Sequence, residues 1–114
     1  MSLDIELLDN SVSVLNLNIT HNLNKMVQQY SYEHYMAIWH PHDLNSLDKC
    51  RPLLAIDVVN YYEETLLEFL HNRKEYERYN SSNGWGNFDD MVSFLSTLVS
   101  YCYKYPQAVV ETSA

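Results

Sequence analysis

The chain has 114 residues, of which 46% are hydrophobic and 13% aromatic, with 15 acidic against 7 basic side chains and a formal charge of −8. That length and composition give a single domain, residues 1–114, able to bury a core without metal or disulfide staples, and exclude general disorder. The charge excludes conventional nucleic-acid binding, which draws on clustered Lys and Arg; here only Arg73 and Lys74 are adjacent.

The first elements are strands. Leu3, Ile5 and Leu7 alternate with Asp4 and Glu6, the period of a half-buried strand. Asp9-Asn10-Ser11 makes a turn, and Val12 to Ile19 returns as the second arm of a hairpin. Val12 and Val14 are out of phase with Leu15, Leu17 and Ile19, so a bulge is expected near Val14-Leu15. Thr20 is a suitable N-cap, and Leu23, Met26, Val27 and Tyr30 follow at helical spacing. A second short helix carries Tyr32, Tyr35, Met36 and Trp39 on one face until Pro41 stops it, and His40 to Leu47 is a polar connection.

Pro52 suits the first turn of a long helix whose stripe is Ala55, Val59, Tyr62, Leu66 and Phe69, widened by Ile56 and Leu70. Asn72 with Glu75 has the spacing of a capping box and restarts a short helix through Tyr79. The only two glycines of the chain lie in Asn83-Gly84-Trp85-Gly86, where they permit a backbone that aims the Trp85 ring. Asn87 caps the last helix, with Asp89 and Asp90 in its first turn and Met91, Phe94, Leu95, Leu98, Tyr101 and Cys102 on its apolar side. Pro106 ends it, and Gln107 to Thr112 is a closing strand. The expected fold is α+β: a small, mostly antiparallel sheet, built from the N-terminal hairpin and the C-terminal strand and covered by about four helices.

The start of the chain has no basic segment leading into an apolar run, and no stretch approaches the roughly 20 apolar residues of a membrane span. Cys50 and Cys102 match no zinc or redox spacing. Cys102 falls in an apolar helical stripe, as an inert buried thiol would, and a Cys50–Cys102 disulfide is the lesser alternative.

Three clusters carry groups able to bind. Thr20-His21-Asn22 lies at a strand-to-helix junction, where free backbone N–H groups, an imidazole and a carboxamide suit an anion. Trp39-His40-Pro41-His42-Asp43 has metal-ligand residue types but lacks a four-ligand spacing, so no metal and no cofactor is expected. Asn83, Gly84, Trp85 and Gly86 offer an indole and backbone donors before a helix. Each also has a structural reading, which is the commoner one for such residues: polar capping, solvated loop histidines, and an indole that plugs the core.

The combination Ile19-Thr20-His21-Asn22-Leu23, Ile38-Trp39-x-Pro41, Asn80-x-x-Asn83-Gly84-Trp85-Gly86-x-Phe88 and Cys102-x-x-Tyr105-Pro106 resembles a group of small proteins encoded by phages, prophages and bacteria. The resemblance spans nearly the whole chain and implies a compact domain in a bacterial cytoplasm, with no assigned reaction. One departure is His40, where arginine is frequent in the group.

The expected function is non-catalytic binding of a small polar or anionic, nucleotide-like ligand between Thr20, His21, Asn22, Trp39, Asn83, Gly84, Trp85 and Gly86. An acidic module acting on a host protein, through Glu63, Glu64 and Glu68, is the alternative. An enzyme using His21 as an acid–base group is a third reading, for which no second catalytic group stands at a convincing spacing.

Overall fold

A computed structural model describes residues 2–44, 52–80 and 86–114. Two strands, β1 (Ser2–Asp9) and β2 (Val12–Thr20), form the hairpin, and Asn10 and Ser11 turn it with φ of 52° and 68°. Both turn residues therefore adopt the left-handed conformation that matches the twist of a two-residue hairpin. The pairing runs from Ser2↔Thr20 to Leu7↔Leu15 and resumes at Leu8↔Ser13, which leaves Val14 as the extra residue of the expected bulge. β3 (Val109–Ser113) pairs antiparallel with β1, so the strand order is β2-β1-β3 and both outer strands are edges.

The alternation on β1 fixes its register. Leu3, Ile5 and Leu7 are fully buried beneath the helices while Asp4 is exposed on the opposite face. A slip by one residue would turn all three outward, at about 1.5–3 kcal/mol each. That sum rivals the whole stability of a small domain, about 5–15 kcal/mol.

A 3-10 turn (His21–Leu23) follows β2, then α1 (Asn24–Tyr30) and α2 (Tyr32–Trp39). Ser31 separates the two helices with an extended backbone and caps α2, its Oγ accepting the His34 N–H. A second 3-10 turn (Pro41–Asp43) closes the first half. The long helix α3 (Ala55–His71) starts three residues after Pro52 rather than around it. Leu54 is held to Val109 by a bridge, and its N–H is taken by the Asp57 carboxylate, so the chain is still extended at the position where a first turn is expected. Ile56 and Leu70 are each 53% exposed, so they do not widen the stripe; Val58 and Thr65 are buried instead.

α4 (Arg73–Glu77) begins without a side-chain cap at Asn72, and the expected capping box there is not formed. The reciprocal box is found at α5 (Phe88–Lys104): Asn87 Oδ1 accepts the Asp90 N–H and Asp90 Oδ2 accepts the Asn87 N–H. α5 packs on α3 and on β2, placing Phe94, Leu95 and Leu98 in the common core with Tyr62 and Phe69. Among the described residues, no helix is long and apolar enough to cross a membrane.

Candidate functional site

A groove of about 470 Å³ opens between β2 and α5. One wall is Leu17 to Thr20, and the other is Asp90, Ser93, Phe94 and Thr97, with Gly86 at the end. The helical wall has the spacing of a single α-helix face, so one side of α5 looks onto the strand. Successive residues of β2 point to opposite faces of the sheet, yet four in a row border the cavity. The groove therefore runs along the outer edge of β2.

The hydrogen-bond alternation identifies the groups on that edge. Val110 donates its N–H to Leu53 O, away from β1, at 2.8 Å. The backbone groups of β3 that face β1 then belong to Val109, Glu111 and Ser113, opposite Leu8, Glu6 and Asp4. Leu3, Ile5 and Leu7 must bond to β2 instead, through Ile19, Leu17 and Leu15. The N–H and C=O groups of Asn16 and Asn18 are thereby directed outward, and Asn18 borders the groove.

The lining is mixed. Leu17, Ile19 and Phe94 supply an apolar floor, while Thr20, Ser93 and Thr97 supply hydroxyls. The Asn18 carboxamide is already committed, donating to Ser2 Oγ at 2.8 Å and Asp4 Oδ1 at 2.7 Å. Among the described residues, Asp90 is the one charged group in the lining, and no Lys, Arg or His belongs to it.

Gly86 seats the end of the groove. Its φ is +93°, and a β-carbon there would collide with Thr20 Cγ2 and press on Leu23 Cγ at 3.2 Å. Here a glycine is required both by backbone conformation and by close approach.

The residues expected to share one recess are distributed as follows. Thr20 and Gly86 meet at the groove. The Thr20 hydroxyl also caps the 3-10 turn, accepting the Asn22 N–H at 3.3 Å. His21 is half-buried, and its Nε2 is sealed from solvent with no hydrogen-bond partner among the described residues. Asn22 is exposed. Trp39 is only 2% exposed, stacked on Tyr35 at 5.6 Å, and its Nε1 likewise finds no partner among the described residues. It is a core indole, so as a rim for ligand stacking it is corrected. Neither His21, Asn22 nor Trp39 lines the groove. Asn83, Gly84 and Trp85 lie outside the described residues.

His42 and Asp43 are exposed, His40 packs edge-on against Tyr35, and no group of three His, Cys, Asp or Glu side chains able to hold a metal occurs among the described residues. Cys102 is a free thiol, 1% exposed, and desolvation pushes its pKa up to about 12; Cys50, the other half of the alternative disulfide, lies outside the described residues.

A second polar cluster has no counterpart among the expected sites. His34 Nε2 lies 2.9 Å from Glu64 Oε1 and its Nδ1 lies 2.8 Å from Ser31 Oγ, with the ring packed between Tyr30 and Tyr61. The order serine, histidine, carboxylate is that of a proton relay. Ser31 Oγ already accepts the His34 N–H as the α2 cap, however, so the arrangement ties α2 to α3. Its neighbours do the same work. Glu68 Oε2 accepts the Tyr76 hydroxyl at 2.6 Å, and Glu63 accepts the Tyr103 hydroxyl at 3.0 Å. Burial, followed by that bond to Glu68, pushes the Tyr76 phenol well above its ordinary value.

The signal for this cluster was in the sequence: Ser31-x-x-His34 has cap-to-N3 spacing, and Glu64 and Glu68 are one turn apart. Comparison of the chain with protein families, curated proteins and solved structures finds no match.

Proposed function

We propose that this chain is a non-catalytic binding protein that receives a small polar ligand in the groove between β2 and α5. The observation that carries the reading is the groove's construction: an outward-facing strand edge, an apolar floor of Leu17, Ile19 and Phe94, and a row of hydroxyls on one helix face. Thr20 and Gly86, from two of the motif segments, border it. The charge of the lining narrows the ligand. A phosphate would meet Asp90 with no cation among the described lining residues to offset it, so a neutral or cationic ligand fits better than a nucleotide.

The acidic-module alternative has less support, because Glu63, Glu64 and Glu68 each already bond a side chain, of α5, α2 and α4 respectively. An enzymatic role for His21 gains no support from a ring nitrogen enclosed without a partner among the described residues. The phage-like cytoplasmic setting rests on the motif resemblance.

The test is an amide chemical-shift titration of the full chain with three sets of small probes: nucleotides, neutral nucleosides and sugars, and amino-acid amides. Neutral or cationic probes are expected to move the amides of Leu17–Thr20 and Asp90–Thr97. Silence of both segments with every probe at millimolar concentration would remove the groove as a binding site.

A further inference from the structure

We infer that the natural occupant of the groove is an extended, basic polypeptide segment that adds to β2 as a fourth strand. This deepens the groove reading and rests on it. Three observations converge. First, β2 is an edge strand nine residues long, and the register directs the N–H and C=O groups of Asn16 and Asn18 away from β1. Among the described residues no strand lies on that side. Second, α5 stands beside this edge and closes it into a trough instead of leaving it flat to solvent, the arrangement by which strand addition gains side-chain pockets. Main-chain bonds then supply affinity, and alternate side chains of the incoming strand reach the floor made by Leu17 and Phe94. The four bordering residues Leu17 to Thr20 span about 13 Å at roughly 3.3 Å per residue, room for a segment of about four residues.

Third, charge selects the occupant. Asp90 is exposed in the lining and keeps one carboxylate oxygen beyond its cap to Asn87. Asp4 and Glu6 lie on the outer face of the adjoining strand, paired with Asn18 and Asn16. Among the described residues no basic side chain lines the trough, and the chain as a whole carries −8. Lysine or arginine on the outward positions of the incoming strand would share the outer sheet face with Asp4 and Glu6, with β2 between them, while Asp90 borders the trough from the α5 side. A second copy of β2 would instead bring two such acidic borders together, a like-charge contact that opposes self-pairing.

The experiment uses the labelled full chain and a capped hexapeptide of alternating valine and lysine, with two companions: the valine–glutamate peptide, and the lysine peptide N-methylated on alternate residues. The lysine peptide is expected to shift the amides of Asn16, Asn18 and Thr20 and to slow their exchange with deuterium. Replacing lysine by glutamate, or N-methylating the bonding edge, is expected to weaken binding at least tenfold at low salt. Asn18→Pro removes an outward main-chain donor and leaves the main-chain bonds to β1, but it also removes the carboxamide bonds to Ser2 and Asp4. Asn18→Ala, which loses only the carboxamide, is the control, and the proline should weaken the lysine peptide at least fivefold relative to the alanine. Thr97→Lys, which leaves the α5 cap intact, should weaken the lysine peptide and not the glutamate one.

If small probes occupy the groove and the peptide does not, the strand-addition inference is wrong while the groove reading stands; if neither binds, both fall. Equal binding of the glutamate or N-methylated peptide overturns the inference. So does a concentration-dependent dimer with exchange protection at Asn16 and Asn18, which would give the edge to a second copy.

Discussion

Gly86 sits against the Thr20 methyl so closely that no β-carbon fits between them, and this contact joins the start of α5 to the end of β2. Gly86→Ala would impose a side chain on a φ of +93° and drive its methyl into Thr20 and Leu23. Backbone strain and overpacking together should cost about 2–4 kcal/mol. Urea denaturation of the variant is the measurement, and a loss below about 1 kcal/mol would mean that the junction gives way easily. Paired with Thr20→Ser, which removes the obstructing methyl, the alanine should recover part of that loss.

The fold was legible wherever one face of an element is buried. β1 betrays itself because Leu3, Ile5 and Leu7 alternate with acids, and even the bulge at Val14 shows as a break in phase. The start of α3 was misplaced because Pro52 is acceptable both in a first turn and in an extended lead-in. What decides between them is the bridge from Leu54 to Val109, a partner more than fifty residues away in the sequence. Of the candidate groove, only Thr20 and Gly86 were legible. Ser93, Phe94 and Thr97 look like ordinary helix residues, and their place in the groove depends on which strand α5 lies beside. Trp39 was misjudged because composition cannot tell a rim indole from a core one; stacking on Tyr35 at the end of α2 puts it inside.

The three glutamates of α3 should differ in worth according to their surroundings. Tyr76 is 6% exposed, and Tyr76→Phe removes a bond to a charged acceptor, for a loss of about 1.5–3 kcal/mol. Glu64→Gln leaves an exposed carboxylate's partner, His34, still packed between Tyr30 and Tyr61, and should cost under about 1 kcal/mol. Tyr103→Phe, at a phenol 58% exposed, should be the mildest. Midpoints of chemical denaturation give the order, and a Glu64→Gln loss larger than that of Tyr76→Phe would contradict it.

Charge reversal of Glu63, Glu64 and Glu68 to lysine is correspondingly a test of stability before it is a test of partner binding. Each reversal cuts a tie to a different element, α5, α2 or α4. The triple variant should melt well below the triple glutamine variant, because lysine adds length and charge beside Tyr76, where glutamine keeps the shape. Equal melting temperatures for the two would show that these carboxylates contribute no more than solvated surface charges.

Stability should fall in alkali, and Cys102 should account for the first part of the fall. The buried thiol titrates near 12, pushed up by desolvation, against an ordinary value of 9.0 that the unfolded chain retains. Below pH 9 both states hold the proton and nothing is lost. Between that value and about 12 the unfolded chain has released a proton that the folded chain keeps, so ν for the unfolded state is the smaller. Unfolding stability then drops with a slope of about 1.4 kcal/mol per pH unit. Tyr62, fully buried with its phenol raised by desolvation, adds a second such loss once the pH exceeds its ordinary value of 10.0. Between pH 9 and 10 the thiol therefore dominates, and Cys102→Ala should flatten that interval while leaving the steeper loss above pH 10. Urea denaturation at pH 8, 9, 10 and 10.5 measures both slopes. A wild-type curve flat to pH 10, or one whose slope survives the alanine unchanged, would place the alkaline sensitivity elsewhere in the molecule.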